Sequence, residues 1–138
     1  MESRAGENSG WKKATTHVTN NEDTRLRRMN YILPHLNDNA RLLEVGCSSG
    51  FMLYPLEKMG NYCVGIEPSG VFSDFVKNNN LTIFNSIEHL LENKPKIKFD
   101  LIMHFFVLEH ISDPLSFLLD QLDLLEPNGK IIFEIPNA

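Results

Sequence analysis

A chain of 138 residues with 42% hydrophobic and 22% charged residues has the length and composition of one globular domain with its own core. Its formal net charge of −5 leaves no general basic surface for nucleic acid, and no apolar run is long enough to span a bilayer. Two cysteines, Cys47 and Cys63, make no disulfide framework, and Met1 to Gly10 lacks the apolar stretch of a secretory signal, so a cytoplasmic location is expected.

Residues 1–20 are polar and rich in Asn, Ser, Thr and Gly, and are expected to form a tail without fixed structure; residues 21–138 form the domain. Trp11 is the exception in the tail, either closing over a pocket or idle. From Thr24 the spacing is helical, with Leu26, Met29, Leu33 and Leu36 on one face and Pro34 kinking or ending the helix. The neighbouring Arg25, Arg27 and Arg28 read as a solvated helix face rather than a phosphate site.

Arg41 to Val45 is an apolar strand suited to a sheet covered on both sides. The Gly46-Cys-Ser-Ser-Gly50 turn follows, and then a helix carries Met52, Leu53, Leu56 and Met59 before stopping at Gly60. Pro55 fits only if the first helical turn starts near Met52, where the missing amide has no intrahelical partner to lose. Tyr62 to Ile66 is the second strand. Ser69 caps a helix with Phe72, Phe75 and Val76 inside and Asn78-Asn-Asn80 as its exit.

Leu81 to Phe84 is the third strand, and Ser86 caps a short helix after it. The fourth strand is expected over Ile97 to Met103. Asp113-Pro114 starts a helix with a buried stripe of Leu115, Leu118, Leu119 and Leu122, and Pro127-Asn-Gly129 turns the chain into a fifth strand over Lys130 to Ile135. Alternation of strand and helix with right-handed crossovers gives an α/β fold, a doubly wound Rossmann-like parallel sheet with helices on both faces.

The most informative stretch is Arg41-Leu-Leu-Glu-Val-Gly-Cys-Ser-Ser-Gly50, followed by Val64-Gly-Ile-Glu67. A strand, a turn of small residues, a helix and a second strand ending in an acid present a nucleoside-containing ligand at the carboxyl edge of such a sheet. Glu67 at that edge can accept both hydroxyls of a ribose. With Phe99-Asp-Leu-Ile102 and the Leu108-Glu-His110 turn, these motifs resemble a class I S-adenosylmethionine-dependent methyltransferase over residues 40–137.

The resemblance implies strand order 3-2-1-4-5, with S-adenosylmethionine as cofactor, S-adenosylhomocysteine as product and a small-molecule methyl acceptor as partner. It also implies a further helix and an antiparallel strand pair beyond strand five, which this chain does not include; the domain reads as C-terminally incomplete. Ile131, Ile132, Phe133 and Ile135 would then lie on an open edge, prone to self-association unless the chain is a fragment or a partner covers it.

Carried residue by residue, the resemblance puts Gly46, Ser48 and Gly50 under the methionine part, with Ser48 departing from the commoner Gly-x-Gly-x-Gly. Glu44 braces the turn and attracts the methionine ammonium, or is simply paired with Arg41 or a lysine. Asn85, Ser86 and Ile87 contact adenine, with Pro68 on its face, although Asn85 is equally an ordinary turn residue. His104 and Phe105, with Phe106, leave strand four beside the sulfonium, where an aromatic face favours the cation. Two adjacent phenylalanines are not expected to face the same way, so one should be core. Glu109 and His110 stand on the acceptor side; His110 is either a general base for a hydroxyl acceptor or a structural element of the turn.

His17, His35 and His89 show no metal-ligand spacing. Three other readings compete. Gly46-Cys-Ser-Ser-Gly50 also matches the Gly-x-Ser-x-Gly elbow of hydrolases, but it follows the first strand, before a sheet or oxyanion loop exists. An NAD-binding oxidoreductase would use Glu67 on its ribose, yet the Gly-x-Gly-x-x-Gly fingerprint is absent. A module that binds S-adenosylmethionine without transferring methyl is the third.

Overall fold

The computed structural model describes residues 22–70, 77 and 79–137. The expected tail with Trp11, and the expected helix face of Phe72, Phe75 and Val76, lie outside the described residues. In chain order the elements are α1 (Glu22–Ile32), β1 (Arg41–Val45), α2 (Leu53–Lys58), β2 (Tyr62–Ile66), β3 (Ile83–Phe84), α3 (Ile87–Asn93), β4 (Phe99–Phe105), α4 (Pro114–Leu122) and β5 (Leu125–Glu134). Short 3-10 turns occupy Leu33–His35 and Leu108–His110.

The sheet is parallel in the order β3-β2-β1-β4-β5, as expected. Alternation along each strand divides the core in two. Leu42, Cys63, Leu101 and Met103 face α1 and α2, where they meet Met29, Ile32, Met52, Leu53 and Leu56. Leu43, Val45, Val64, Ile66 and Ile102 face α3 and α4, meeting Leu90, Phe117 and Leu124. Glu44 shares the parity of Leu42, so its carboxyl enters the α1 side.

Local signals explain most element boundaries. Helix α2 begins at Leu53, so Pro55 falls in its first turn, where its missing amide costs nothing. Ser86 Oγ accepts from the His89 amide at 3.0 Å and Asp113 Oδ1 from the Ser116 amide at 3.2 Å, capping α3 and α4.

Four expectations about the elements are corrected. Of the expected α1 face, Met29 is buried and Leu33 and Leu36 pack on the core, but Leu26 is 52% exposed and Arg28 and Ile32 are buried in its place; the helix ends at Ile32, before Pro34, as expected. Strand β4 runs two residues further than expected, because β5 keeps pairing: His104 is opposite Phe133 and Phe105 opposite Glu134. The Pro127-Asn-Gly129 turn is an irregularity within β5, between the Phe99–Leu125 and Leu101–Lys130 pairs, with Asn128 at φ 71°.

Helix α4 is the clearest correction. Its leucines 115, 119 and 122 are more than half exposed, while Gln121 is fully buried beside Phe117. Gln121 is directed at His104, which is also fully buried, stacked on Phe133 at 5.2 Å and edge-on to Phe117 at 5.3 Å. Among the described residues, neither His104 nor Gln121 completes a well-formed hydrogen bond. Burial therefore lowers the pKa of His104, and the Gln121 amide offsets this only in part.

The unfolded chain accepts a proton that the folded chain resists. Stability is thus full above the unfolded value of about 6.5 and is lost as pH falls through it towards the folded value. Urea unfolding of the native chain and of His104→Phe at about pH 7.5 and about pH 5 checks this by difference: Glu44, raised to about 8, adds stability to both as pH falls, and the native chain should gain less than the variant. The variant also removes two buried ring nitrogens and should be at least as stable near neutrality, by up to about 1 kcal/mol.

Candidate active site at the carboxyl edge

The carboxyl ends of β1, β2, β3 and β4 bring together the turn 46–50, Glu67 with Pro68 and Ser69, Asn85 with Ser86, and the segment 106–110. The turn is tied to β2. The amides of Gly46 and Cys47 both donate to the Ile66 carbonyl, at 2.8 and 3.1 Å. The Ser48 amide donates to Glu67 Oε1 at 2.8 Å, and the Ser69 amide to Glu67 Oε2 at 3.1 Å. Glu67 is itself fixed by its amide on the Phe84 carbonyl at 2.9 Å. Each carboxylate oxygen keeps a lone pair beyond its backbone bond, so the group can still accept two hydroxyls.

The turn needs small residues for two different reasons. Gly46 and Gly50 have φ of +76° and +84°, and a Cβ there would lie 2.8 Å from Val107 Cγ2 and 2.5 Å from Leu81 Cδ1 respectively. Ser48 has φ 53°, so the position where glycine is commoner does adopt the left-handed region, and serine tolerates it at a cost of about 1–2 kcal/mol. The departure at Ser48 is thus one of strain, not of space.

Beneath the turn, Glu44 is 2% exposed and its Oε1 has no hydrogen-bond partner among the described residues. Burial pushes its carboxyl up to about 8, with Arg28 opposing the rise and Glu67 adding to it. The expected pairing with Arg41 is absent: Arg41 is exposed at the opposite end of β1. Ser49 Oγ is a second buried polar atom in the turn without a partner.

Arg28 is the residue that sequence reasoning missed. Instead of a solvated face, it is 8% exposed, its Nε donating to Glu134 Oε1 at 3.1 Å while Arg27 Nη1 reaches Glu134 Oε2 at 3.0 Å. Its guanidinium lies 4.3 Å from the Phe105 ring centroid and 5.4 Å from that of Phe106. Phe106 takes φ 59°, which breaks the strand alternation and lets both rings flank one cation. As expected of the pair, one packs on the core: Phe105 lies against the α1-side cluster, while Phe106 is 43% exposed. No sequence signal marked Arg28: it sits in the middle of the polar α1, between Arg27 and Met29.

The other expected residues divide. Asn85 and Pro68 are exposed at the edge, Ser86 serves as the α3 cap, and Ile87 packs into the α3-side core. His104 is withdrawn from the crevice, on the α4 side of the sheet. His110 is exposed in its 3-10 turn, Nε2 lying 3.7 Å from Glu109 Oε2. A groove of about 650 Å³ lies at the opposite, amino edge, lined by Arg41, Tyr62, Lys94 and Lys96, and holds none of these residues.

Residues 18–138 match a protein family described as a methyltransferase domain. The chain belongs to the class I S-adenosylmethionine-dependent methyltransferases. It is 34% identical to a tRNA U34 carboxymethyltransferase of Shewanella woodyi, over 90% of this chain and 42% of that protein. It is 32% identical to a ubiquinone biosynthesis O-methyltransferase of Actinobacillus pleuropneumoniae, over 80% of this chain and 52% of that protein. The chain thus spans about half the length of these relatives, or less.

Among solved structures, an S-adenosylmethionine-dependent methyltransferase of Archaeoglobus fulgidus is similar at TM-score 0.64 and 25% identity, over 85% of this chain and 53% of that one. A methyltransferase of Thiobacillus denitrificans in complex with S-adenosyl-L-homocysteine shares the fold at TM-score 0.59 and 20% identity, over 80% of this chain and 47% of that one.

The residues fit the family's cofactor. Two buried polar atoms at the turn, Glu44 Oε1 and Ser49 Oγ, have no partner within the described chain, and Gly46 and Gly50 let the turn pack closely on Val107 and Leu81. The turn itself can be tested by stability alone. Ser48→Gly should raise the unfolding free energy by about 1 kcal/mol, whereas Gly50→Ala should lower it by more than about 2 kcal/mol. Denaturant titration of both variants beside the native chain measures each.

Proposed function

We propose that this chain is the cofactor-binding part of an enzyme that transfers methyl from S-adenosylmethionine to a small-molecule acceptor. The observation that carries the reading is Glu67, held by amides from the turn after β1 and from its own edge, with both oxygens presented at the crevice. When bound, S-adenosylmethionine supplies an electrophilic methyl group on a sulfonium.

The chain's residues then have separate tasks. Glu67 accepts the ribose hydroxyls. Glu44 faces the ammonium of the amino acid end, and Gly46, Ser48 and Gly50 let the backbone approach it. Arg28, whose Nε is committed to Glu134, offers its Nη edge to the carboxylate of that same end. Pro68, Asn85 and Ser86, with the backbone at Ile87, border adenine. Phe105 and Phe106 hold Arg28 in place by stacking on it, rather than meeting the sulfonium directly.

His110 stands exposed at the acceptor side and takes a proton from a hydroxyl acceptor; methyl transfer otherwise rests on alignment of the reacting atoms. The net charge of −5 favours a small acceptor over tRNA, and the ubiquinone-pathway relatives support that choice. The tRNA-modifying relatives favour a second reading, an RNA acceptor.

Calorimetric titration with S-adenosylhomocysteine tests the cofactor site. Glu67→Gln should weaken binding at least about 100-fold, since two charge-assisted hydrogen bonds of about 1.5–3 kcal/mol each are lost. Unchanged affinity in a folded variant would contradict the role given to Glu67. Labelled S-adenosylmethionine offered with phenolic small molecules and, separately, with total tRNA decides the acceptor; label on the tRNA would reverse the choice made here.

A further inference from the structure

Glu44 lies in a strand whose neighbours are apolar, and its register partners are Gly65 on β2 and Met103 on β4, neither of which offers a hydrogen bond from its side chain. The carboxyl is 2% exposed, and Oε1 is unpartnered. An ionised carboxylate in that position would be costly unless paired. Arg28, the cation whose charge acts on Glu44, cannot serve fully, because it is already bonded to Glu134 and has the Phe105 and Phe106 rings against it.

The remaining groups that act on Glu44 do not neutralise it. Glu67, at the end of β2, repels a second negative charge, while Cys47 in the turn and Cys63 on β2 are buried thiols whose own ionisation the Glu44 charge disfavours. An uncharged acid is the state that this surrounding favours in the absence of ligand.

We propose that Glu44 couples cofactor binding to proton release: it holds a proton in the ligand-free chain and yields it to solvent when the cofactor's ammonium docks. The inference rests on the reading above of the crevice as the S-adenosylmethionine site, and adds to it a pH dependence of that site. The balance is simple. A neutral carboxylic acid and an ammonium cation give a carboxylate–ammonium pair and one proton, which the buffer takes up. The shift of the acid to about 8 agrees with this state near neutrality.

Linkage fixes the expected signs. Between about pH 6 and pH 8 each unit of pH should strengthen binding about ten-fold, because less of the acid has to be deprotonated; above about pH 8 the affinity should level off.

The test is calorimetric titration of the full chain with S-adenosylhomocysteine near neutral pH, in two buffers of low and high ionisation enthalpy. The dependence of observed heat on buffer should report release of nearly one proton. Glu44→Gln, which imitates the neutral acid, should bind more weakly, release none and lose the pH dependence. Buffer-independent heat would overturn the proposal, as would proton uptake, the sign expected if the ligand's own amine were the titrating group. The native chain alone decides the sign, so the proposal stays testable if the variant does not fold. Absence of binding in every buffer would overturn the assignment of the site itself, and the proposal with it.

Discussion

The carboxylate of Glu67 ties together the parts of the crevice that come from different strands. One oxygen holds the Ser48 amide and the other the Ser69 amide, while its own amide is fixed to β3 through the Phe84 carbonyl. Because Gly46 and Cys47 also donate to Ile66, the turn after β1 is attached to β2 over its whole first half. The turn's shape and the aim of the acid are therefore one constraint. Strain at Ser48 and the tight spaces at Gly46 and Gly50 are held in place by those bonds.

A second constraint is the line of charge on the α1 side of the sheet. Glu44 lies below the turn, Arg28 reaches towards it from α1, and Glu134 at the end of β5 is shared by Arg28 and Arg27. Helix α1 is thus attached to the end of β5. Phe106 leaves its strand in a left-handed conformation and adds a second ring beside Arg28. Any change in the position of α1 would be felt by Glu44 through the field of that one guanidinium, since Arg28 opposes the rise that burial imposes.

Much of the fold was legible in the sequence. The strands at 41–45 and 62–66 are where apolar runs bounded by turn residues placed them, and the caps at Ser86 and Asp113 act as their side chains suggest. Parallel pairing followed from alternation of strand and helix, and the strand order from the resemblance to the family. What failed depended on tertiary contacts. Leu115, Leu119 and Leu122 of α4 have helical periodicity but face outward, with Leu118 half-buried, because the face turned to the sheet is the one that carries Phe117 and Gln121. His104 looked like a crevice residue only while β4 was thought to end at Met103; pairing with β5 carries it into the core. Arg28 could not be separated from its exposed neighbour Arg27 by type or spacing, since only the positions of Glu134 and Phe105 distinguish them.

The account's central claim is that the cofactor sits on the turn 46–50 and against Glu67, at the carboxyl edge of the sheet. Backbone amide NMR of the labelled chain, titrated with S-adenosylhomocysteine and in parallel with NAD, tests it most directly. The account predicts that the first ligand alone shifts the amides of Gly46 to Gly50, Ser69 and Ser86. Shifts confined to the opposite groove at Arg41, Tyr62 and Lys96, or an equal response to NAD, would contradict it.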